Sequence, residues 1–292
     1  MKKRIISLVA GAAVAVLALS GCSDSTDAGD NKDLTIAVFN GWEEGQAVSY
    51  LWEQILTDKG YTVTLTNANV APVYAGLSTG DYDVVLDTWL PATHATYMER
   101  YGDELEDLGA WFDEAQLTIA VNEDSPIQSL DELAGAADSF GNRIVGIESG
   151  AGLTRVTTED VIPGYQLEDM DFQVSSTPAM LSELTAATEN DENIVVTLWQ
   201  PHWAYDAFPI RNLEDPKGLL GTAEGIHSIA RIGLAEDKAE VYGWLRDFQM
   251  NAEQLYSLEN ALFNSDADAS DYPEITKKWM ADNTEYVDSL TT

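Results

Sequence analysis

The sequence predicts an α/β fold built as two lobes, and three observations predict it. Short apolar strands alternate with amphipathic helices, the pattern of a sheet with helices on its faces. The alternation runs in two series, divided near Asn122-Glu123-Asp124-Ser125-Pro126. About 250 residues follow the N-terminal segment, enough for two lobes of roughly 100–130 residues each.

The elements follow in order. Leu34–Phe39 reads as a buried strand, and the helix after it, 46–57, sets Ala47, Tyr50, Leu51, Ile55 and Leu56 on one face. Tyr61–Thr66 is a strand, Val73–Leu77 a short helix, Asp83–Leu86 a strand and Leu117–Val121 another. In the second series Ser129 is placed to cap a helix holding Leu130 and Leu133, with Glu132 completing a capping box. Ile144–Ile147 is a strand, Leu153–Val161 a helix, Phe172–Val174 a strand, Pro178–Thr188 a helix and Ile194–Leu198 a strand. From about Ile226 the pattern is mainly helical, over 238–248, 252–257 and 273–280. The chain is expected to cross between lobes near Val121–Pro126 and to return near Ile226–Gly233. The division is then 33–122 with 227–292 for lobe 1, and 123–226 for lobe 2.

The N-terminus predicts a compartment. Lys2, Lys3 and Arg4 precede an apolar stretch from Ile5 to Leu19, which runs into Leu19-Ser20-Gly21-Cys22. A basic head, a short apolar segment and small residues describe a secretory signal over 1–21. The small residues before the single cysteine resemble a bacterial lipobox, which implies cleavage before Cys22 and a lipid on its thiol. Residues 22–32, polar and rich in Asp, read as a flexible tether. The expected location is the outer face of the cell membrane, or the periplasm where there is an outer membrane. With Cys22 taken, no cysteine remains for a disulfide, and 45% hydrophobic residues must supply the core.

Three of the 15 basic residues and none of the 50 acidic ones lie within residues 1–21, leaving 12 against 50 and a net charge of −38. Nucleic acid and anionic lipid are therefore poor partners for the folded body. The carboxylates are read as a solvated surface.

Open α/β sheets bind ligands beyond the carboxyl ends of their strands. Unusual residues fall at four such ends. Trp42 follows the first strand, Trp89 the third, with His94 five positions on, and Trp199 ends the strand Ile194–Leu198. Glu148-Ser149-Gly150-Ala151-Gly152 follows Ile144–Ile147 and opens a helix. A trimethylammonium group has no N–H to donate, and its spread charge and apolar methyls favour indole faces. Free backbone N–H groups at a helix start suit an anion, and His94 adds a donor. A cage for a cation beside a nest for a carboxylate specifies a betaine. Trp52, Trp111, Trp244 and Trp279 are assigned to packing, as are His202 and Trp203.

Longer motifs carry a resemblance. Gly41-Trp42-Glu43-Glu44 ahead of Tyr50-Leu51-Trp52, Val70-Ala71-Pro72-Val73-Tyr74, Gly80-Asp81-Tyr82-Asp83, and the run from Leu86 to His94 are similar to glycine betaine-binding proteins of ABC transporters. So are Glu148-Ser149-Gly150-Ala151-Gly152-Leu153 and the run Val196-Thr197-Leu198-Trp199-Gln200-Pro201-His202-Trp203. The resemblance covers about Leu34 to Phe248. It implies a two-lobed, type II-like periplasmic-binding-protein fold with the ligand in the interlobe cleft. It further implies an aromatic prism of Trp42, Trp89 and Trp199, and carboxylate contacts from His94 and the N–H groups of Gly152 and Leu153. Glu148-Ser149 departs from the Asp-Pro that relatives often carry there. The implied partners are a small zwitterion and a membrane permease with a separate ATPase, served by a monomer. Proline betaine, carnitine, choline and ectoine are alternative ligands; choline lacks the carboxylate. No nucleotide-binding Gly-x-x-x-x-Gly-Lys-Ser/Thr run, Gly-x-Ser-x-Gly elbow or His-Glu-x-x-His zinc motif occurs, so neither a cofactor nor an enzyme activity is expected.

Overall fold

The computed structural model describes residues 32–265 and 267–292, so the expected signal sequence, Cys22 and nearly all of the tether lie outside the described residues. Its strands are β1 (Asp33–Phe39), β2 (Thr62–Ala68), β3 (Val84–Leu90), β4 (Leu105–Asn122), β5 (Arg143–Gly146), β6 (Asp171–Val174), β7 (Val195–Gln200), β8 (Ile210–Asn212) and β9 (Glu224–Arg231). The helices are α1 (Glu43–Asp58), α2 (Val70–Thr79), α3 (Ala95–Tyr101), α4 (Leu130–Ala136), α5 (Gly152–Val156), α6 (Ile162–Tyr165) and α7 (Thr177–Glu189). They continue as α8 (Ala204–Ala207), α9 (Leu234–Asp237), α10 (Ala239–Arg246), α11 (Ala252–Phe263), α12 (Tyr272–Asp282) and α13 (Thr284–Ser289).

The strands join in the order β2-β1-β3-β9-β4-β7-β5-β6, with β8 paired to β4 off this path. β1 is parallel to β2 and β3, and β5 is parallel to β6 and β7. β1 and β3 are buried on both faces over most of their length, as central parallel strands must be when helices cover the sheet. Between the two parallel sets run β4 and β9, antiparallel to their neighbours.

β4 is the element that joins the halves. Its first part pairs with β9, from Leu105↔Arg231 to Ala115↔Glu224, and its last part pairs with β7, from Gln116↔Gln200 to Val121↔Val195. The strand partner therefore changes between Ala115 and Gln116, ahead of the expected crossing at Val121–Pro126. The return to the first half begins at Glu224, the start of β9. Two stretches differ from the sequence expectation. Leu105–Gln116 is strand, with the pairing register shifting three times along it, and such bulges erase the two-residue alternation that marks a strand. Glu224–Arg231, expected at the head of a helical tail, is a strand held on one side by β3 and on the other by β4.

Local signals explain most of the helices. α7 starts at Ser176, whose hydroxyl accepts from the Ala179 N–H, with Pro178 in the first turn. α11 starts with a full capping box, Asn251 against Gln254. At α4 the expected box is only half formed: Ser129 accepts from the Asp131 N–H, while Glu132 reaches the Gln128 N–H instead of that of Ser129. The helix expected over Leu153–Val161 is α5 followed by a wide π-type turn at Thr157–Val161 that leads into α6.

The C-terminal helices α11 and α12 pack on α1, whose inner face buries Leu51, Trp52, Ile55 and Leu56. Phe248 meets Trp52 edge-on at 5.4 Å between ring centroids and stacks on Trp111 at 5.3 Å. Trp52, Trp111 and Trp279 are buried in this packing, and Trp244 is half-buried under the Lys59 ammonium. Among the described residues no helix is long and apolar enough to cross a membrane.

Candidate functional site

The carboxyl ends of β1, β3, β5 and β7 converge on one cavity with an empty volume of about 280 Å³. Trp42, Trp89, Trp199, His94, Gly152 and Leu153 all line it, joined by Glu44, Thr93, Leu117, Ile147 and Ala151. The structure thus brings together every residue that the sequence singled out for a ligand site. They come from segments more than 150 positions apart, and from both sides of the partner change in β4.

Each ring is held in a different way. Trp42 precedes α1 and lies between Phe39, Trp199 and His94: it meets Phe39 edge-on at 4.8 Å, Trp199 at 6.5 Å and 62°, and stacks on His94 at 5.5 Å and 11°. Its indole N–H points to Glu148 at 3.5 Å. Trp89 lies inside β3, not after it, and its indole N–H donates to Asp87 at 3.0 Å. Trp199 lies inside β7, and its indole N–H donates to Glu44 at 2.9 Å. All three are nearly buried. Indole faces fixed by their edges are pre-organised for a cation, since little rotamer freedom is left to lose on binding.

The polar end is equally specific. His94 is fully buried, and its Nδ1 accepts from the Trp89 backbone N–H at 2.8 Å. When the ring is neutral the proton therefore sits on Nε2, which has no partner among the described residues. Burial, with Arg155 adding repulsion, lowers the imidazole pKa to about 3, so the ring is a neutral donor near pH 7. Beside it begins α5. Its first N–H groups, those of Gly152 and Leu153, have no partner within the helix by helix geometry. Gly152 is required there: a Cβ at this position would collide with the Thr93 carbonyl oxygen.

The loop carrying His94 is pinned from two directions. Glu224 at the start of β9 accepts from the N–H groups of Ala92 at 2.7 Å and Thr93 at 3.0 Å, and from the Thr93 hydroxyl. From the other half of the sheet, Arg155 donates to the Ala92 carbonyl at 3.3 Å, and the Gly150 carbonyl accepts from the Tyr97 hydroxyl on α3 at 3.0 Å. Glu148 also braces the start of α7, accepting from the Thr177 N–H at 2.9 Å and the Thr177 hydroxyl at 3.0 Å, besides facing Trp42.

Sequence reasoning missed the acids. Glu44 and Asp87 are almost wholly buried. Burial pushes Glu44 up to about 8, with Glu43 adding, and pushes Asp87 well above the usual carboxylate range, with Glu44 adding. A signal existed for Asp87: it interrupts Val84-Val85-Leu86, a run that reads as fully buried, and a carboxylate in such a run needs a reason. His202 is buried, as its packing assignment expected, and it also faces Glu43 at 3.3 Å. His227 stands away from the cavity and pairs with Asp107 at 2.8 Å. Among the described residues no group of His, Cys, Asp and Glu is arranged to hold a metal ion.

A mixed sheet in two halves, with an aromatic cavity at the converging strand ends, defines a two-lobed α/β solute-binding protein. Residues 32–282 match the family described as the substrate-binding domain of ABC-type glycine betaine transport systems, and the chain belongs to that family. It is similar to the glycine betaine/carnitine transport binding protein GbuC of Listeria monocytogenes, with 40% identity over 146 residues, 49% of this chain. That match spans about half the Listeria protein, 47% of its length. Among solved structures it resembles lactococcal OpuAC in its closed-liganded conformation with glycine betaine, at 28% identity and a TM-score of 0.82, covering 89% of this chain and 100% of that one. It also resembles the glycine betaine/L-proline-binding protein ProX of Borrelia burgdorferi, at 27% identity and a TM-score of 0.82, covering 89% and 97%.

Proposed function

We propose that this chain captures glycine betaine, or a closely related betaine, and delivers it to an ABC permease driven by a separate ATPase. Trp42, Trp89 and Trp199 surround the quaternary ammonium; His94 and the N–H groups of Gly152 and Leu153 receive the carboxylate. The observation that carries this reading is the Nε2–H of His94, without a partner among the described residues, in a cavity that three indoles also line. A cation cage alone would suit any quaternary amine, and the buried donor asks for an anion on the same ligand. Three desolvated cation–π contacts at about 2 kcal/mol each supply about 6 of the roughly 8 kcal/mol that micromolar affinity needs, and the carboxylate contacts supply the rest.

The lobes, in this proposal, hinge through Gln116 on β4, supported by the change of strand partners there, and through the segment that leads into β9. The lipobox-like Leu19-Ser20-Gly21-Cys22 supports removal of residues 1–21, a lipid anchor on Cys22 and a tether over 22–32 at the outer membrane face. Cys22→Ser is then expected to release the protein from the membrane fraction.

Tryptophan fluorescence titrated with glycine betaine, proline betaine, carnitine, choline and ectoine tests the ligand. A saturable change with a betaine at micromolar concentration is expected. A response to none of the quaternary amines, or to ectoine alone, overturns the reading.

A further inference from the structure

Two of the three cage indoles are held by carboxyl groups. Glu44, in the first turn of α1, takes the Trp199 indole N–H, and Asp87, inside β3, takes that of Trp89. Each acid has one oxygen left over, Glu44 Oε1 and Asp87 Oδ2, with no donor among the described residues. The Asp87 carboxyl packs against the α1 backbone at Gly45, the residue after Glu44, and the Glu44 charge helps to raise the Asp87 pKa. Two neighbouring buried carboxylates repel, whereas one retained proton relieves that repulsion.

The backbone is built to permit this approach. Gly45 follows Glu44, and a Cβ there would run into the Asp87 carboxyl, so the glycine is what lets α1 close on β3 at this point. Among the described residues no cationic side chain acts on either acid. Glu43 on α1 and Glu259 on α11 face Glu44; Glu259 and the Tyr74 phenol on α2 face Asp87. His202, after β7, stands beyond Glu43 with its Nδ1 accepting from the Ala204 N–H. Burial drives Glu44 to about 8, and drives Glu259 and Asp87 well above the usual carboxylate range. Glu44 itself lines the cavity, so a cation in the cage sits against this pair.

We propose that Glu44 and Asp87 are positioning residues forming a proton-sharing carboxyl pair. The pair fixes Trp199 and Trp89 by their indole N–H groups and gives up its proton to solvent when a quaternary ammonium enters the cage. The inference rests on the betaine reading of the cavity. It adds a regulatory property to that site: affinity rises with pH, because the pair carries a proton in the empty protein that the cation displaces. His94 does not share in this, since it is already neutral across the range concerned.

Calorimetry of glycine betaine binding to the intact protein, in two buffers of different ionisation enthalpy, counts the protons exchanged. Release on the order of half a proton per ligand is expected near pH 7, with affinity rising about threefold per pH unit between pH 6 and pH 8. Glu44→Gln and Asp87→Asn each flatten the pH slope. Glu44→Gln, which keeps an acceptor for the indole, binds more tightly than Glu44→Ala. Wild-type protein that binds betaine with equal affinity from pH 6 to pH 9 and exchanges no proton overturns the inference while the betaine reading stands. A slope that persists in both amide variants overturns it equally. Folded protein that binds no betaine at any pH overturns the betaine reading, and the inference with it. The wild-type proton count needs no variant, so a variant that fails to fold leaves the test intact.

Discussion

His94→Ala separates the two ends of the ligand. The imidazole does three things: its Nδ1 holds the Trp89 N–H, its face stacks on Trp42, and its Nε2–H stands free in the cavity. Removing the stack weakens the hold on any quaternary amine, whereas removing the donor weakens only a ligand with a carboxylate. A hydrogen bond to a charged group is worth about 1.5–3 kcal/mol, which corresponds to about tenfold to a hundredfold in affinity. Calorimetry with glycine betaine and with tetramethylammonium, on wild type and variant, isolates that contribution as the ratio of the two losses. The betaine loss is expected to exceed the tetramethylammonium loss by about tenfold or more. Because burial lowers the His94 pKa to about 3, this contribution stays constant from pH 5 to pH 9. Equal losses for both ligands, at a melting temperature showing an intact fold, refute the assignment of His94 to the carboxylate.

Three further outcomes are expected. Trp89→Ala removes one wall of the cage and its link to Asp87, and betaine affinity measured by fluorescence titration falls at least tenfold. Gly152→Ala drives a Cβ into the Thr93 carbonyl, in a loop that Glu224 holds fixed, so the first turn of α5 retreats; calorimetry should show betaine weakened about tenfold or more with little change in thermal stability. Glu44→Gln alters the pH dependence of stability. The unfolded carboxyl titrates near 4.5 and the folded one near 8, so its contribution is fully present below 4.5 and is lost as pH rises through about 8. The wild-type melting temperature relative to Glu44→Gln therefore falls, by about 5 °C or more, from pH 5 to pH 8, and a constant gap contradicts the shift.

The part of the cavity proposed to contact the ligand was legible because its signals are local. An indole just after or at the end of an apolar strand, or a glycine at the start of a helix, can be seen without knowing what packs opposite. Trp42, Trp89, Trp199, His94, Gly152 and Leu153 are of this kind, and they line one cavity. Most strands and helices were legible for the same reason, with ends displaced by a few residues. Leu105–Gln116 was not, because its bulges break the alternation that reveals a strand. Nor was Glu224–Arg231, whose neighbours β3 and β4 lie more than 100 residues earlier, while helices follow it directly. Glu44 is an acid in the first turn of a helix, where acids usually face water. Only the arrival of Trp199 and Asp87 from distant strands makes it a buried partner.

The balance of charge in the site explains how so acidic a chain could favour a neutral ligand. A net charge of −35 draws cations to the whole surface and so gives no selectivity by itself. In the cavity the charges are withdrawn: the imidazole is neutral, and the acids around the cage are held toward their protonated forms. A ligand with a net negative charge would have to be buried there without a counter-ion, which is costly. A zwitterion brings both charges itself, spreading one over indole faces and setting the other against N–H donors. In the proposed binding mode the cation meets Trp42 and Trp89 from the β1–β3 side and Trp199 from β7, while the carboxylate meets His94 from the first side and α5 from the second. Each end of the ligand thus needs groups from both halves of the sheet. Only an arrangement with the halves together satisfies both ends, so binding favours closure by the difference in contacts between the open and closed forms.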